Sequence, residues 1–223
     1  MGFVQLLTSL DALLYELIAW FAFFPVTLWR IVRHPLNTMR YAENQLRLDR
    51  ERQYRGTVGP PIMLFLTIVV MHGVGVAMGE GTNAIIADRH GLASLVKDNT
   101  SLLLLRLVLF GLFALVLATW KVRRSGAPLD RDTLKAPFYA QCYAISPFAL
   151  LVSCGTAIAF HHHPIFQAAG IAAIVAGFLF YGIVQVRWFS NELNQSYIRS
   201  FLDATIGMII SIAVTVALGL LFH

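Results

Sequence analysis

The chain has 223 residues, of which 57% are apolar and only 13% are Asp, Glu, Lys or Arg. A soluble domain carries about 25% charged residues, so this composition excludes an ordinary water-soluble domain and predicts an integral membrane protein. The formal net charge is +5, but the basic residues are collected in particular segments, which indicates membrane topology and excludes nucleic acid as a partner.

The first hydrophobic segment, residues 17–29, is apolar for only 13 residues and follows Asp11 and Glu16. A hydrocarbon core of about 30 Å needs about 20 apolar residues in a helix. Residues 1–35 are therefore predicted to form an N-terminal hydrophobic helix that is interfacial, re-entrant or a sixth span. The sequence leaves these three alternatives open.

A charged segment follows over residues 36–57, and we name it the basic arm. Glu43, Arg47 and Glu51 succeed one another at the i,i+4 spacing at which opposite charges support a helix. We therefore expect a helix over residues 36–55 that lies on the cytoplasmic leaflet. It serves either as an anchor that sets topology or as a docking surface for a partner or an anionic lipid headgroup. The arginines of such a surface are Arg40, Arg47, Arg50, Arg52 and Arg55.

Five longer apolar runs come next, and each is long enough for a helix that crosses a bilayer. Unbroken runs of this length are helical, because a helix satisfies its own backbone hydrogen bonds in lipid. Residues 58–223 are therefore predicted to form an all-α bundle of five transmembrane helices. The predicted spans cover residues about 60–79, 100–120, 138–160, 165–186 and 204–222.

The distribution of basic residues predicts the orientation of the bundle. Fourteen Lys and Arg residues lie in segments 29–57, 121–137 and 187–202, against two in the opposite loops. Cytoplasmic loops accumulate Lys and Arg, so we expect these three segments on the cytoplasmic side and the C-terminus on the outer side. The membrane expected from this pattern is a bacterial inner membrane.

The sequence contains no motif of a soluble enzyme, and it predicts no catalytic residue and no cofactor. Three successive histidines, His161–His163, stand directly before Pro164. Successive side chains do not converge from one face of a helix. We interpret these histidines as an exposed turn rather than as a metal site.

Ionisable groups within the hydrocarbon are candidates for function, because their insertion costs free energy. Arg106 lies about six residues from the outer end of its span, and His72 lies at a similar depth in the preceding span. Together with Glu80 they predict an outer polar pocket. The alternative is that Arg106 snorkels or pairs with a nearby acid and that His72 bonds to the backbone.

A second set of polar residues lies towards the cytoplasmic side of the predicted bundle. It indicates either a polar cavity open to the cytoplasm or hydrogen bonds between helices. We name this the inner polar set, and its members are Gln141, Tyr143, Ser146, Tyr181, Gln185 and Asp203.

Small residues at a four-residue spacing let helix backbones approach closely in a membrane. Three such stripes predict close packing between spans. They are Gly75–Gly79, Ala169–Ala173–Gly177 and Gly207–Ser211.

Three short motifs occur in order along the chain: Arg33-His34-Pro35, then Gly59-Pro60-Pro61 before the first full span, then Tyr143-Ala144-Ile145-Ser146-Pro147 in the third. With five closely spaced spans, this order resembles the Yip (Ypt-interacting protein) family and its bacterial relatives, over residues about 35–223. The resemblance implies a cytoplasmic N-terminal region, a C-terminus on the far side, and a membrane-organising adaptor or permease-like protein. It supplies no catalytic residue.

These observations favour a non-enzymatic membrane scaffold or accessory subunit. A small permease or lipid-translocating transporter is the alternative, and an intramembrane enzyme that modifies lipid is the third interpretation. The expected partners are anionic lipid headgroups on the cytoplasmic side, together with a protein partner or a second copy of the chain.

Overall fold

The structure is a computed structural model that describes residues 3–77, 99–159 and 163–221. Its regular elements within these ranges are helices, with no strand among them. A short 3₁₀ turn, Arg50–Arg52, lies between the second and third helices. The helices are α1 (Phe3–Arg33), α2 (Pro35–Gln45), α3 (Pro60–Ala77), α4 (Asn99–Arg124), α5 (Arg131–Ala159), α6 (Pro164–Glu192) and α7 (Tyr197–Leu221).

Five of these helices contain stretches that are long and apolar enough to cross a membrane. The all-α membrane fold predicted from the sequence is thereby confirmed. The first predicted span, residues 60–79, corresponds to α3, whose apolar part, Pro60–Gly75, is shorter than the others. The five stretches are Leu13–Arg33, Leu103–Arg124, Arg131–Ala159, Pro164–Glu192 and Tyr197–Leu218.

The N-terminal hydrophobic region forms one continuous helix, α1, of 31 residues. Its stretch Leu13–Arg33 has 21 residues, which is enough by length and composition for a span. The C-terminal half of α1 packs on the bundle through Trp20, Phe24 and the fully buried Ile31. Only 11% of the stretch is buried, so most of this stretch faces outward from the protein.

The fifth helix, α5, forms the centre of the bundle. It packs against α3, α4 and α6, and half of its apolar stretch is buried, against 11–28% in the other four. Residues 140–149 are buried without interruption. Polar side chains in this segment therefore need partners inside the protein, because water does not reach them.

The helices α1 and α2 meet at a bend at His34 and Pro35. Proline has no N–H to donate, and His34 lies outside the helical region, with φ −137° and ψ 62°. Thr38 bridges the bend, because its hydroxyl lies 3.2 Å from the carbonyl oxygen of Arg30 and 2.9 Å from that of His34. One polar face therefore continues from the end of α1 into α2.

The three basic segments of the sequence come together at one end of the bundle, which we name the basic end. Ion pairs join α2 to α6 through Arg40 and Glu192, and α2 to α4 through Glu43 and Lys121. A further pair joins the end of α4 to the start of α7. The basic arm and the turns after α4 and α6 thus form one surface.

Candidate functional site

Lys121 lies at the centre of an ion-pair cluster at the basic end. Its Nζ lies 2.8 Å from Oε1 of Glu43 on α2 and 3.3 Å from Oε2 of Glu192 on α6. The ring of Trp188 lies 4.5 Å from the same Nζ, and Nε of Arg40 lies 3.3 Å from Oε1 of Glu192. The Lys121 side chain is only 11% exposed, so water screens these charges less than at an open surface. We name these four charged residues the Lys121 cluster.

The chain after α2 folds back on itself, and the helix predicted over residues 36–55 is wrong beyond Gln45. The backbone N–H of Tyr54 donates to Oε1 of Gln45 at 2.9 Å, and its hydroxyl donates to the carbonyl oxygen of Ala42 at 2.8 Å. These bonds require a reversal of the chain, and Tyr54 takes a left-handed φ of 55°. Burial raises the pKa of Tyr54, so its hydroxyl keeps the proton that it donates.

The reversal also explains why the predicted i,i+4 charge pairs of the basic arm do not share a helix. Glu43 belongs to α2 and contacts Lys121, whereas Arg47 and Glu51 follow the end of α2. The Lys121 cluster holds one side of the arm and Tyr54 holds the other, so the exposed side chains project from a fixed turn. Arg40 is exposed too, but it lies on α2 and pairs with Glu192. The exposed arginines that follow α2 are Arg47, Arg50, Arg52 and Arg55.

Gln141 and Gln185 form a closed pair of amides inside the bundle, which we name the amide pair. Nε2 of each residue donates to Oε1 of the other, at 2.9 and 2.8 Å. The hydroxyl of Tyr181 donates to Oε1 of Gln141 at 2.8 Å. All three side chains are fully buried. A buried amide is costly unless it is hydrogen-bonded, and here the amide groups of α5 and α6 bond to each other.

Asp203, at the start of α7, accepts hydrogen bonds from three residues, two on α4 and one in the turn before α7. Nη2 and Nε of Arg124 lie 2.6 and 2.7 Å from its Oδ1. Nε2 of Gln195 donates to Oδ2 at 2.9 Å, and Nε1 of Trp120 lies 3.4 Å from Oδ1. The side chain of Asp203 has no exposed surface. A buried carboxylate needs a paired cation and further donors, and Asp203 has both.

The two other members of the inner polar set lie at separate places. The Tyr143 hydroxyl donates to the carbonyl oxygen of Val58 at 2.6 Å, and Ser146 donates to the carbonyl oxygen of Cys142 in its own helix at 2.8 Å. The structure thus brings together Gln141, Tyr181 and Gln185 and leaves the other three members apart. Five of the six members bond to another element.

The residues of the predicted outer pocket lie partly outside the described ranges. His72 on α3 and Arg106 on α4 are both half-buried, and α3 contacts α4. Glu80 lies outside the described residues. The outer pocket therefore stays a prediction.

The histidine run is described only at His163, which is the N-cap of α6. Its Nδ1 accepts from the backbone N–H of Ile165 at 3.4 Å. His161 and His162 lie outside the described residues. Within the ranges that the structure describes, no three His, Cys, Asp or Glu side chains are grouped as a metal site requires.

A cavity that the sequence analysis did not find lies where α1 meets α2, and we name it the junction cavity. It has a volume of about 310 Å³. Positions 30, 34, 38 and 41 fall on one helical face and are all polar, which was the signal in the sequence. This face was not predicted, because Pro35 lies within the segment and a proline normally interrupts a helix. The lining residues are Arg30, His34, Asn37, Thr38, Tyr41 and Thr57.

Comparison with known proteins finds no family model, no curated protein and no solved structure that matches this chain.

Proposed function

We propose that this protein is a non-enzymatic membrane scaffold, an adaptor or accessory subunit that holds a protein partner at the cytoplasmic face through its basic arm. The observation that carries the proposal is the attachment of the arm to the bundle by the Lys121 cluster. An arm that only sets topology needs positive charge but no fixed shape. A docking surface, in contrast, gains affinity when its side chains are positioned before the partner arrives.

The chemistry of the arm favours an acidic partner surface. Arg47, Arg50, Arg52 and Arg55 are exposed on one short segment, and a guanidinium group binds a carboxylate through two parallel hydrogen bonds. Glu43, the acid of α2, is already engaged by Lys121. The same segment also exposes Asp49 and Glu51, so its four arginines leave it with a net charge of +2.

The polar interior of the bundle supports the same proposal. A permease uses polar groups within its spans to bind cargo, and such groups must be accessible to that cargo. The amide pair and Asp203 are instead fully buried and bonded to neighbouring helices. Their arrangement serves the packing of helices, as in other membrane bundles.

The proposal places the basic end on the cytoplasmic side, following the positive-inside pattern. A cysteine-free variant, with Cys142 and Cys154 replaced by alanine, allows single cysteines to be labelled from either side of the membrane. We expect Arg50→Cys and Arg131→Cys to react from the cytoplasmic side and His163→Cys from the other side. Labelling of Arg50→Cys and Arg131→Cys from different sides would overturn the common basic surface.

The main experiment is crosslinking in native membranes followed by purification and mass analysis. The test variant carries Arg→Gln changes at Arg47, Arg50, Arg52 and Arg55. The control variant removes the same number of exposed charges elsewhere at the basic end, at Arg123, Arg131, Arg187 and Arg199. We expect a partner in fixed stoichiometry with the wild-type protein and the control variant, and its loss from the test variant.

Two outcomes would overturn the scaffold function. One is equal capture by the test variant and the control variant, because the arm would then not be the docking surface. The other is lipid movement in liposomes: purified protein that exposes fluorescent lipid to a quencher, and loses this activity in Gln141→Leu, would be a transporter.

A further inference from the structure

We propose that the junction cavity is a phosphate-binding site and that it takes the phosphate of an anionic lipid headgroup. This inference goes beyond the scaffold function, because it concerns a different ligand and different residues. The residues that line the cavity have polar side chains, although most of the lining surface is formed by their apolar atoms, and a volume of about 310 Å³ accommodates a headgroup with its phosphate.

The lining of the cavity has the composition that an anion requires. None of its six residues carries a carboxylate. The hydroxyls of Thr38 and Thr57 donate within the protein, so the side-chain donors left for a ligand are those of Arg30, His34, Asn37 and Tyr41. Arg30 makes a single long bond, from Nη1 to the carbonyl oxygen of Gly56 at 3.3 Å. Most of its N–H groups therefore remain for a ligand, and His34 adds a ring N–H in either protonation state.

The wall of the cavity that Thr57 forms is held in place by hydrogen bonds of Thr57 and its neighbour Val58. The Tyr143 hydroxyl donates to the carbonyl oxygen of Val58 at 2.6 Å, and the Val58 N–H donates to Oγ1 of Thr27 at 3.1 Å. The hydroxyl of Thr57 donates to that of Tyr41 at 3.3 Å. Because Tyr41 accepts this bond, its own proton remains available to a ligand. This wall of the cavity is thus formed before a ligand binds.

The start of α2 adds a second feature that favours an anion. The first N–H groups of a helix have no acceptor within the helix, and the side chain of His34, the N-cap residue, forms no capping bond to them. His34 and Asn37 both line the cavity, so the helix start lies beside it.

The position of the cavity favours a lipid over a soluble phosphate. Arg30 lies in the last turn of the candidate span Leu13–Arg33, where the headgroups of a bilayer begin. Trp29 and Val26, one turn or less away on α1, are exposed by 62% and 44%. They offer an apolar surface along which acyl chains can lie.

A larger groove at the basic end is less suited to an anion. It has a volume of about 570 Å³ and lies beside Arg131 and Lys135, but Asp132 is also part of its lining. A carboxylate repels a phosphate group at close range. The junction cavity has no such acid.

The test uses the full chain in micelles of a zwitterionic detergent, titrated with phosphatidylglycerol and measured by native mass spectrometry. Asn37→Asp places a carboxylate in the cavity, and Asn44→Asp makes the same change on α2 outside the lining. We expect Asn37→Asp to weaken binding by about tenfold or more and Asn44→Asp to change it by less than about twofold. A carboxylate at the third residue of a helix supports that helix, so unfolding of α2 would not explain the loss.

A second pair of variants separates the site from general attraction by charge. Arg30→Gln should weaken binding by about tenfold, whereas Arg47→Gln, which removes an exposed charge from the arm, should have little effect. Equal losses in the two variants of either pair, or no loss in Asn37→Asp, would overturn the site.

The source of the phosphate is tested by competition with glycerol 3-phosphate and with inorganic phosphate. We expect neither to displace phosphatidylglycerol at equal concentration, because neither has acyl chains to contact α1. Displacement by either compound would show that the cavity binds a soluble phosphate compound and would overturn the proposal that its ligand is a lipid. Partner capture by Asn37→Asp should stay at the wild-type level, so failure of this site and failure of the scaffold function can be told apart.

Discussion

Gly155 on α5 and Gly170 on α6 bring the backbones of these two helices into direct contact. A Cβ atom on Gly170 would lie 2.5 Å from the carbonyl oxygen of Gly155, and one on Gly155 would lie 2.7 Å from the carbonyl oxygen of Gly170. Along α5 this contact lies fourteen residues from Gln141, which is about 21 Å of helical rise. The amide pair and the glycine contact therefore join α5 and α6 at two distant points.

Two such attachments make α5 and α6 a single rigid unit. Transporters move one group of helices against another around a central site, which requires an interface that can slide or open. A backbone contact without side chains, combined with a closed pair of buried amides, opposes both movements. A rigid pair of helices is compatible with the scaffold function that we propose.

The glycine contact predicts that Gly170→Ala destabilises the protein by about 1–3 kcal/mol, because the added methyl group meets backbone atoms that cannot turn aside. The matched control is Gly182→Ala on the same helix, where the new Cβ would have Met208 Sδ at 3.9 Å as its nearest contact. Alanine favours a helix over glycine, so the control should be neutral or more stable. Thermal unfolding in detergent measures both, and equal stability of the two variants would refute the contact.

The amide pair predicts strong coupling between its two members. Gln185→Leu leaves Nε2 of Gln141 without its partner, while Oε1 keeps the bond from Tyr181, and should destabilise by about 1–3 kcal/mol. The double variant Gln141→Leu, Gln185→Leu removes both amides and should cost less than the sum of the single variants. Detergent unfolding of all four proteins gives the coupling energy, and simple additivity would contradict the pair.

The sequence predicted which helices pack through small residues and found part of the faces involved. On α7 both predicted residues, Gly207 and Ser211, are buried, and on α6 Gly177 is buried against α5. Ala169 of the α6 stripe is exposed, however, and the closest contact is made by its neighbour Gly170. A soluble helix shows its buried face by a polar opposite face. The spans lack that contrast, because lipid and protein neighbours are both apolar, so the pattern leaves the rotation of the helix open.

The contacts at the basic end were harder to predict, because they join distant parts of the chain. The sequence placed Glu43 opposite Arg47 by local spacing, whereas its partner is Lys121, 78 residues away. Local spacing is informative only while the helix continues, and α2 ends at Gln45. The positive-inside pattern identified the right segments without indicating which of their side chains are fixed and which are exposed.

The Lys121 cluster predicts a loss of order in the basic arm when its central cation is removed. Lys121→Met leaves the carboxylates of Glu43 and Glu192 facing each other without the ammonium group. We expect a destabilisation of about 2 kcal/mol, below the value for fully buried pairs because all three side chains keep some exposure. Hydrogen exchange should show faster exchange in α2, and limited proteolysis should cut the arm sooner.

Two controls make the Lys121 result specific. Lys135→Met removes an exposed lysine at the same end of the bundle and should leave the exchange of α2 unchanged. Adding Glu43→Gln and Glu192→Gln to Lys121→Met removes the repulsion and should recover part of the stability. If hydrogen exchange in α2 is as slow in Lys121→Met as in the wild-type protein, the cluster does not hold the arm.

Asp130 caps the start of the central helix α5. Its Oδ1 accepts from the backbone N–H groups of Thr133 and Asp132, at 2.8 and 2.9 Å, and its own N–H donates to Oγ1 of Thr133 at 3.1 Å. This reciprocal arrangement satisfies N–H groups that the helix itself leaves free. The bonds from Thr133 hold the pKa of the Asp130 carboxyl below its ordinary value of 3.8.

The depressed pKa predicts that the cap weakens in acid. Because the folded pKa lies below the unfolded one, the ionised cap stabilises α5 fully above pH 3.8, and this stabilisation is lost as the pH falls through the folded value. Asp130→Asn keeps an acceptor at the cap but does not titrate, so its first turn should lose less protection in acid than the wild-type turn. Hydrogen exchange of residues 131–135, corrected for intrinsic rates, measures this. If Asp130→Asn loses as much protection from exchange in acid as the wild-type protein, a group other than Asp130 causes the loss.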